Sequence, residues 1–138
     1  MISLGCPGRV LLDGRGVGVY AESLNGYERG LIKVSGRYVA GETIVAGRLL
    51  VRENGLAVHG APSRGPVLGV ALARIYDGAY DEGEMILILR CGEVIPDGEL
   101  GADLESARVD ASGRFVRTGG EIVPSAVYAP GGVEINLA

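Results

Sequence analysis

The sequence predicts a mainly β fold: a compact, glycine-rich β barrel or sandwich of short hairpins with at most one or two short helices. Glycine accounts for 24 of the 138 residues, well over twice its usual share of about 7%. Glycine permits the positive φ angles that tight turns require. Hydrophobic residues make up 47% of the chain, which is enough to build the core of one domain. Short apolar runs alternate with turn dipeptides, which is the pattern of consecutive strands.

Turn dipeptides divide the chain into segments of strand length. Asn54-Gly55 separates the apolar runs at 48–52 and 56–58 and gives the clearest hairpin in the chain. The run at 85–89, MILIL, is apolar on both faces, as in a central, fully buried strand. Residues 133–137 alternate between apolar and polar, which predicts a half-exposed strand.

Helix signals are weak by comparison. The segment 99–109 places Leu100 and Leu104 at helical spacing, but Gly101 interrupts it. The pattern allows one short helix there and a second at 73–80, where an Asp-Gly dipeptide would cut the helix short.

Two stretches of the chain share one pattern. The first begins GETIVAGRLLVRENGLAV at Gly41 and extends to residue 89, and the second begins DGELGADLESARVDASGRFV at Asp97 and extends to residue 137. Each has a glycine turn, an apolar run, a second turn with glycine, another strand-like run and a glycine-led final strand. The match is one of pattern and not of identity, so either a duplicated β unit or an unrelated succession of hairpins accounts for it.

Composition and charge exclude several classes of partner. The net charge is −4 and the basic residues are scattered, so no basic face is available to bind nucleic acid. No run of 18 apolar residues predicts a membrane span. The N-terminal MISLGCPGRVLL lacks the basic start and long apolar stretch of a signal peptide, and we expect a cytosolic product. Cys6 and Cys91 lie far apart without CxxC spacing, so we expect two reduced thiols.

No motif in the sequence carries catalytic chemistry. The glycines at 14–18 read G-x-G-x-G and not the dinucleotide-binding G-x-G-x-x-G, so we interpret them as a turn. His59 is the only histidine, and no signature places a nucleophile and an acid beside it, so we expect a surface or turn residue. The acidic loop at 77–84 lacks EF-hand spacing, so we expect it to be solvated. We therefore predict that the protein is not an enzyme and uses no cofactor or metal.

Residues 1–15 are expected to form an extended N-terminal arm, and residues 16–138 a single β-rich domain. Gly5, Pro7 and Gly8 disfavour a regular helix or a central strand. The arm is either a frayed terminus or a segment that orders on a partner by adding to an exposed sheet edge. In the second case, the residues expected to contact the partner are Ile2, Leu4, Pro7 and Arg9.

The segment VLGVALARIYDGAYDEGEMILILRCGEV at 67–94 resembles the G-V-A-L … G-E … V-x-V … G-x-V stretch of tailed-phage capsid decoration proteins, also called cement proteins. The flanking AGETIVAGRLLV and GADLESARVDASGRFV resemble that family's strand-opening glycines and hairpin turns. The likeness covers residues 30–137, and its motifs are patterns of glycine and small residues. The insertion DGAYDEGE is longer than the family pattern, and the first thirty residues match nothing in it.

The resemblance implies a structural protein on the outer surface of the virion capsid, made in the host cytoplasm, that binds the major capsid protein and stabilises the expanded head. It further implies a homotrimer, with no nucleic-acid or membrane partner. Trimerisation would also cover exposed sheet edges. The alternatives are a small β-barrel module that binds a ligand or peptide, and a hydrolase built around His59. The residues predicted to form the subunit interface are Leu100, Leu104, Ile122, Val123 and Tyr128.

Overall fold

The computed structural model describes residues 10–13, 18–21, 32–72 and 79–137. These residues form fourteen β-strands and no helix, so the prediction of a mainly β fold is confirmed. The strands are β1 (Val10–Asp13), β2 (Gly18–Ala21), β3 (Ile32–Val39), β4 (Ile44–Val45), β5 (Leu49–Glu53), β6 (Leu56–His59), β7 (Val67–Ala71), β8 (Ala79–Tyr80), β9 (Met85–Leu89), β10 (Cys91–Ile95), β11 (Ser106–Val109), β12 (Phe115–Val116), β13 (Glu121–Ala129) and β14 (Gly132–Asn136).

The strands form three sheets. A seven-stranded sheet has the order β12-β11-β13-β14-β10-β1-β2, a five-stranded sheet has the order β3-β9-β7-β5-β6, and β4 pairs with β8. β1 and β10 run parallel, and the other paired strands of the described chain run antiparallel. None of the three sheets is closed into a barrel by these residues.

The five strands of the five-stranded sheet, which we call the first unit, have the same topology as β10 to β14 of the seven-stranded sheet, which we call the second unit. The strand order is β6-β5-β7-β9-β3 in the first unit and β12-β11-β13-β14-β10 in the second. In each unit, the chain leaving the first strand forms one parallel bridge to the second strand of the hairpin. The bridge joins Ala40 to Ala57 in the first unit and Gly98 to Phe115 in the second. This shared order supports the duplicated β unit, and it adds β3 and β10 as the first strand of each copy.

The main core lies between the seven-stranded and the five-stranded sheets. Leu49, Val70 and Leu89 contribute to it from the first unit, and Phe115 and Ile135 from the second. All five side chains are fully buried, and burying a side chain of this size stabilises a fold by about 1.5–3 kcal/mol. The two units therefore share one apolar interior.

The opposite face of the five-stranded sheet carries a second core under a short cover. We call this cover, residues 40–46 together with β8, the flap. Ile44 and Tyr80 of the flap pack against Ile86 and Ile88 of β9. The five-stranded sheet is consequently buried on both faces.

Burial on both faces explains the continuous apolar run in β9. This strand lies between β3 and β7. Ile88 faces the second core, whereas the next residue, Leu89, faces the main core. The prediction of a central, buried strand at 85–89 is confirmed, except that Met85 at its start is exposed.

The helix that the sequence pattern allows at 99–109 is not formed. Residues 99–105 form a loop, and β11 occupies the rest of the segment. Leu104 has a φ of 68°, which lies outside the right-handed helical region. Of the second allowed helix, residues 73–78 lie outside the described residues and the last two positions form β8.

The predicted arm is described only in part. β1, which falls within residues 1–15, pairs with β10 on one side and β2 on the other. The predicted capsid contacts in residues 1–9 lie outside the described residues. Cys91 is buried at the start of β10 and is disulfide-bonded, so the expectation of a reduced thiol is wrong for this residue. Cys6, the other cysteine of the sequence, lies outside the described residues.

Candidate functional site

The five residues predicted to form a subunit interface differ widely in exposure. Val123 and Tyr128 are buried in the main core, with 1% and 0% of their surface exposed. Leu100 is half-buried against the same core. Leu104 and Ile122 are 46% and 50% exposed. Of the five side chains, only the last two are substantially available to another molecule.

Leu104 and Ile122 lie on different parts of the surface. Ile122 is paired with Arg108 near the start of β13, whereas the N–H of Leu104 donates a 2.8 Å hydrogen bond to the carbonyl of Tyr128. Six positions of extended strand separate Ile122 from Tyr128, which corresponds to about 20 Å. Leu104 and Ile122 therefore do not belong to one small apolar patch.

The Tyr128 side chain on β13 hydrogen-bonds to two other strands of the second unit, β11 and β12. Its hydroxyl donates a hydrogen bond to the carbonyl of Val116 and accepts one of 3.3 Å from the N–H of Arg108. Burial raises the pKa of this hydroxyl, and the Arg108 backbone and charge act in the opposite direction. The ring packs over Gly101 so closely that a Cβ added there would lie 2.5 Å from the ring Cε2. These contacts explain why the phenol is buried.

His59 is buried in β6, and the prediction of a surface or turn histidine is wrong. Its Nε2 accepts a 2.9 Å hydrogen bond from the N–H of Val45 in the flap. This bond assigns the ring proton to Nδ1, which lies 3.7 Å from Oε2 of Glu42. The same carboxylate accepts the N–H of His59 at 3.1 Å, and Arg64 donates to the His59 carbonyl at 2.7 Å. The imidazole therefore connects the flap to the five-stranded sheet.

The electrostatic surroundings of His59 keep it neutral. Burial is the largest influence and lowers the pKa of His59. The charge of Glu42, the next largest influence, raises the pKa, Arg48 lowers it and Asp97 raises it, and the pKa is lowered overall. A neutral imidazole could serve as a general base only through its free lone pair, and that lone pair is held by the Val45 N–H. The geometry fits a histidine whose role is to hold the flap.

The acidic loop forms a tight turn where it is described. The N–H of Asp81 donates a 2.8 Å hydrogen bond to the carboxylate of Glu84, and the N–H of Glu84 donates to the carbonyl of Asp81 at 3.1 Å. Asp81 and Glu82 are exposed, as expected for a solvated loop. Across the described part of the chain, no group of three or more His, Cys, Asp or Glu side chains is arranged to hold a metal ion.

Polar contacts at Asp97 join the two units. Its carboxylate accepts a 2.8 Å hydrogen bond from Nε of Arg48 and lies 3.8 Å from Nε of Arg114. Its N–H donates to the carbonyl of Gly47 at 2.9 Å. The junction is therefore fixed by directional bonds in addition to the shared main core.

No protein-family model matches the chain, and no curated protein is significantly similar to it. In the described ranges, no helix has the length and apolar character needed to cross a membrane. The functional assignment therefore depends on the sequence resemblance and on the physical character of the fold.

Proposed function

We propose that this chain is a structural capsid decoration protein that binds the exterior of a tailed-phage head and stabilises the expanded shell. The observation that carries the proposal is the resemblance of residues 67–94 to the capsid decoration family. This segment includes β7, β9 and β10, and it crosses from the first unit to the second. Each of these strands is paired on both sides. A resemblance concentrated in central strands supports a scaffold shared with that family.

The physical character of the scaffold supports a mechanical role. Two five-stranded units share one core, and their junction is held by the contacts at Asp97. A well-packed scaffold of this kind presents its surface loops at fixed positions, which reduces the ordering cost of binding. A trimer that touches several capsomers at once gains effective concentration for each further contact. Binding only to the expanded shell stabilises that state by mass action.

The alternative function, a β-barrel module that binds a ligand or peptide, is less well supported. None of the three sheets is closed by the described residues. The two faces of the five-stranded sheet are occupied by packed apolar side chains, including Leu49 on one face and Leu50 on the other. These side chains fill the positions where a barrel module would hold its ligand.

The decoration function is tested by co-sedimentation with heads of the phage whose genome encodes the chain. Purified protein is mixed with expanded heads that lack it and, separately, with unexpanded proheads. We expect saturable binding to expanded heads and none to proheads. Failure to sediment with either form, at concentrations above those of the capsid subunits, would refute the proposal. The same assay with residues 1–5 deleted, which retains Cys6, tests the arm, whose removal we expect to weaken binding.

The trimer is tested separately by sedimentation velocity over a range of protein concentrations. We expect a trimer that Ile122→Lys weakens, because this exposed side chain would carry a charge into an apolar contact. Met85→Lys is the matched control, since Met85 is 57% exposed in the other unit and is not part of the predicted interface. A monomer at high concentration, with or without heads, would refute the trimer. The decoration function would still be decided by the co-sedimentation experiment.

A further inference from the structure

We propose that the flap is an acid-sensitive cover, and that protonation of His59 releases it from the five-stranded sheet and uncovers the second core. The proposal stands on one hydrogen bond, in which Nε2 of His59 accepts the N–H of Val45 at 2.9 Å. It is independent of the decoration function, because it concerns an element of the first unit and needs no capsid.

The flap is attached to its surroundings by bonds that respond differently to pH. Two backbone bonds anchor it on either side, from the Gly41 N–H to the Ala57 carbonyl at 2.9 Å and from the Gly47 N–H to the Ala71 carbonyl at 2.7 Å. Neither of these peptide groups titrates. Two bonds lie between them along the chain, and both reach His59: the Glu42 carboxylate accepts its backbone N–H at 3.1 Å, and the Val45 N–H donates to its imidazole, a group whose ordinary pKa lies between 5 and 8. The middle of the flap is therefore the part that acid can detach.

Protonation reverses the role of the nitrogen that Val45 contacts. A neutral imidazole presents one acceptor nitrogen, whereas the imidazolium presents two donors and no acceptor. The Val45 N–H would then face a second N–H at hydrogen-bond distance, and both groups would lack a partner in a buried site. Moving β4 away from β6 separates the two donors and admits water to both. Acid therefore favours the open flap.

The groups that face His59 set where this change occurs. Burial lowers its pKa most; the Glu42 charge, the next largest influence, raises it, Arg48 lowers it, and Asp97 raises it slightly, so that the pKa is lowered overall. Arg64 contacts the backbone carbonyl and not the ring. The opening midpoint accordingly lies on the acidic side of 6.5, the usual value for histidine, and the flap is closed at neutral pH.

An open flap exposes an apolar surface on the first unit. Ile44 and Tyr80 leave their contacts with the sheet, and Leu50, Ile86 and Ile88 lose their cover. The main core on the other face keeps its own packing. The expected acid state is thus locally open and otherwise folded, and it differs from global acid unfolding.

Amide hydrogen exchange of the ¹⁵N-labelled protein between pH 7.5 and pH 5.0 tests the proposal. After correction for intrinsic exchange, we expect protection of the Val45 amide to fall by up to about tenfold for each pH unit from the usual histidine pKa of 6.5 down to the lowered pKa of His59 in the closed state, and to level off below it. Protection of the Leu49 amide, which donates to Gly113 at the unit junction, should change little. Fluorescence of an apolar dye should rise over the same interval.

His59→Gln is the matched variant, because the glutamine amide oxygen can accept the Val45 N–H and does not titrate in this range. We expect its Val45 protection to be independent of pH. Glu42→Gln keeps an acceptor for the His59 N–H but removes a charge that raises the pKa, so the midpoint should move to lower pH. Constant Val45 protection in the wild type, or an equal acid response in His59→Gln, would overturn the proposal.

A measurement on the wild type alone tests the proposal if the flap of the His59→Gln variant does not close. Imidazole ¹⁵N shifts report the tautomer and the titration of His59 directly. We expect the Nδ1–H tautomer at pH 7.5 and a pKa of His59 below 6.5 that coincides with the pH at which the loss of Val45 protection levels off. The Nε2–H tautomer, or a loss of Val45 protection that occurs outside the interval between 6.5 and this pKa, would refute the mechanism.

Discussion

Three glycines allow steric overlap and backbone strain to be measured separately by substitution with alanine. At Gly101 the φ angle is not positive, and an added Cβ would lie 2.5 Å from Cε2 of the buried Tyr128 ring. At Gly131 the φ is +79° and no atom lies within 4 Å of the added Cβ. At Gly69 the φ is +143° and the Cβ would also lie 2.5 Å from Cγ2 of Ile88. Gly101→Ala thus adds steric overlap alone, and Gly131→Ala adds backbone strain alone. Gly69→Ala adds both.

The expected losses follow from the two causes. Gly131→Ala should lower the free energy of unfolding by about 1 kcal/mol, the cost of a left-handed residue with a Cβ. Gly101→Ala should cost about 1–3 kcal/mol, as other insertions of a methyl group into a packed core do. Gly69→Ala combines the two and should cost about 2–4 kcal/mol. For a chain of this size, 1 kcal/mol corresponds to a shift in Tm of about 2–5 °C.

Urea unfolding followed by far-UV circular dichroism measures these differences, provided that the dependence on urea is the same for each variant. The expected order of destabilisation is Gly131→Ala, then Gly101→Ala, then Gly69→Ala. A Gly131→Ala variant as unstable as Gly69→Ala would refute the separation of causes. So would a Gly101→Ala variant as stable as the wild type, because the Tyr128 ring would then have to be free to move.

Two further substitutions test hydrogen bonds of the second unit. Tyr128→Phe leaves the buried Val116 carbonyl and Arg108 N–H without the hydroxyl and should cost about 1–3 kcal/mol in urea unfolding; no loss would show that water replaces it. Asp110 makes a pH-dependent contribution to stability. Burial alone would raise the pKa of its carboxyl group, but hydrogen bonds, the largest from the Ser112 side chain, hold the pKa below its usual 3.8. The ionised carboxylate therefore stabilises the fold above pH 3.8, and this contribution is lost as the pH falls through the lowered pKa of the folded state. Asp110→Asn should therefore flatten the fall in Tm between pH 5 and pH 3, and an unchanged slope would contradict this.

Local turn chemistry could be predicted from the sequence, whereas the half-exposed strand expected at 133–137 is wrong, because Glu134 is buried like Val133 and Ile135. Asn54 and Gly55 have φ angles of 53° and 78°, as a two-residue hairpin turn requires, and β5 and β6 pair across it. Gly69 lies inside the apolar run at 67–73, where a glycine favours a bulge or a close approach of backbones, and it has the φ and the tight contact that exclude a side chain. At these positions the residue type itself restricts the backbone, so no distant contact is needed to decide the structure.

Burial that depends on distant segments could not be predicted. His59 is covered by a flap whose contact residue, Val45, lies 14 positions earlier, and nothing in the residues next to His59 specifies that cover. In β13 the buried positions are Val123, Ala126, Tyr128 and Ala129. The alternation shifts beside Ser125, which has a φ of 64°, so counting every second residue from one end assigns the other end to the wrong face.

The shared main core makes a last prediction about how the two units unfold. Leu49, Val70, Leu72 and Leu89 of the first unit are fully buried against the second. Exposing these four side chains would cost about 6–12 kcal/mol at about 1.5–3 kcal/mol each. That is comparable to the whole stability of a typical domain, about 5–15 kcal/mol. Neither unit is therefore expected to fold without the other, although each has a complete sheet of its own.

Urea unfolding should accordingly be a single transition, with the same midpoint by far-UV circular dichroism and by the exchange-resistant amides of both units. A fragment of residues 90–138 should remain unfolded, and the separate fragment 1–89 should as well. Two resolved transitions, or a fragment 90–138 with dispersed amide resonances, would contradict the reasoning. Such a result would mean that the sheet pairing within one unit outweighs the core between the two. The duplication would then have joined two domains that were already stable, whereas the buried residues indicate two halves that became dependent on one interior.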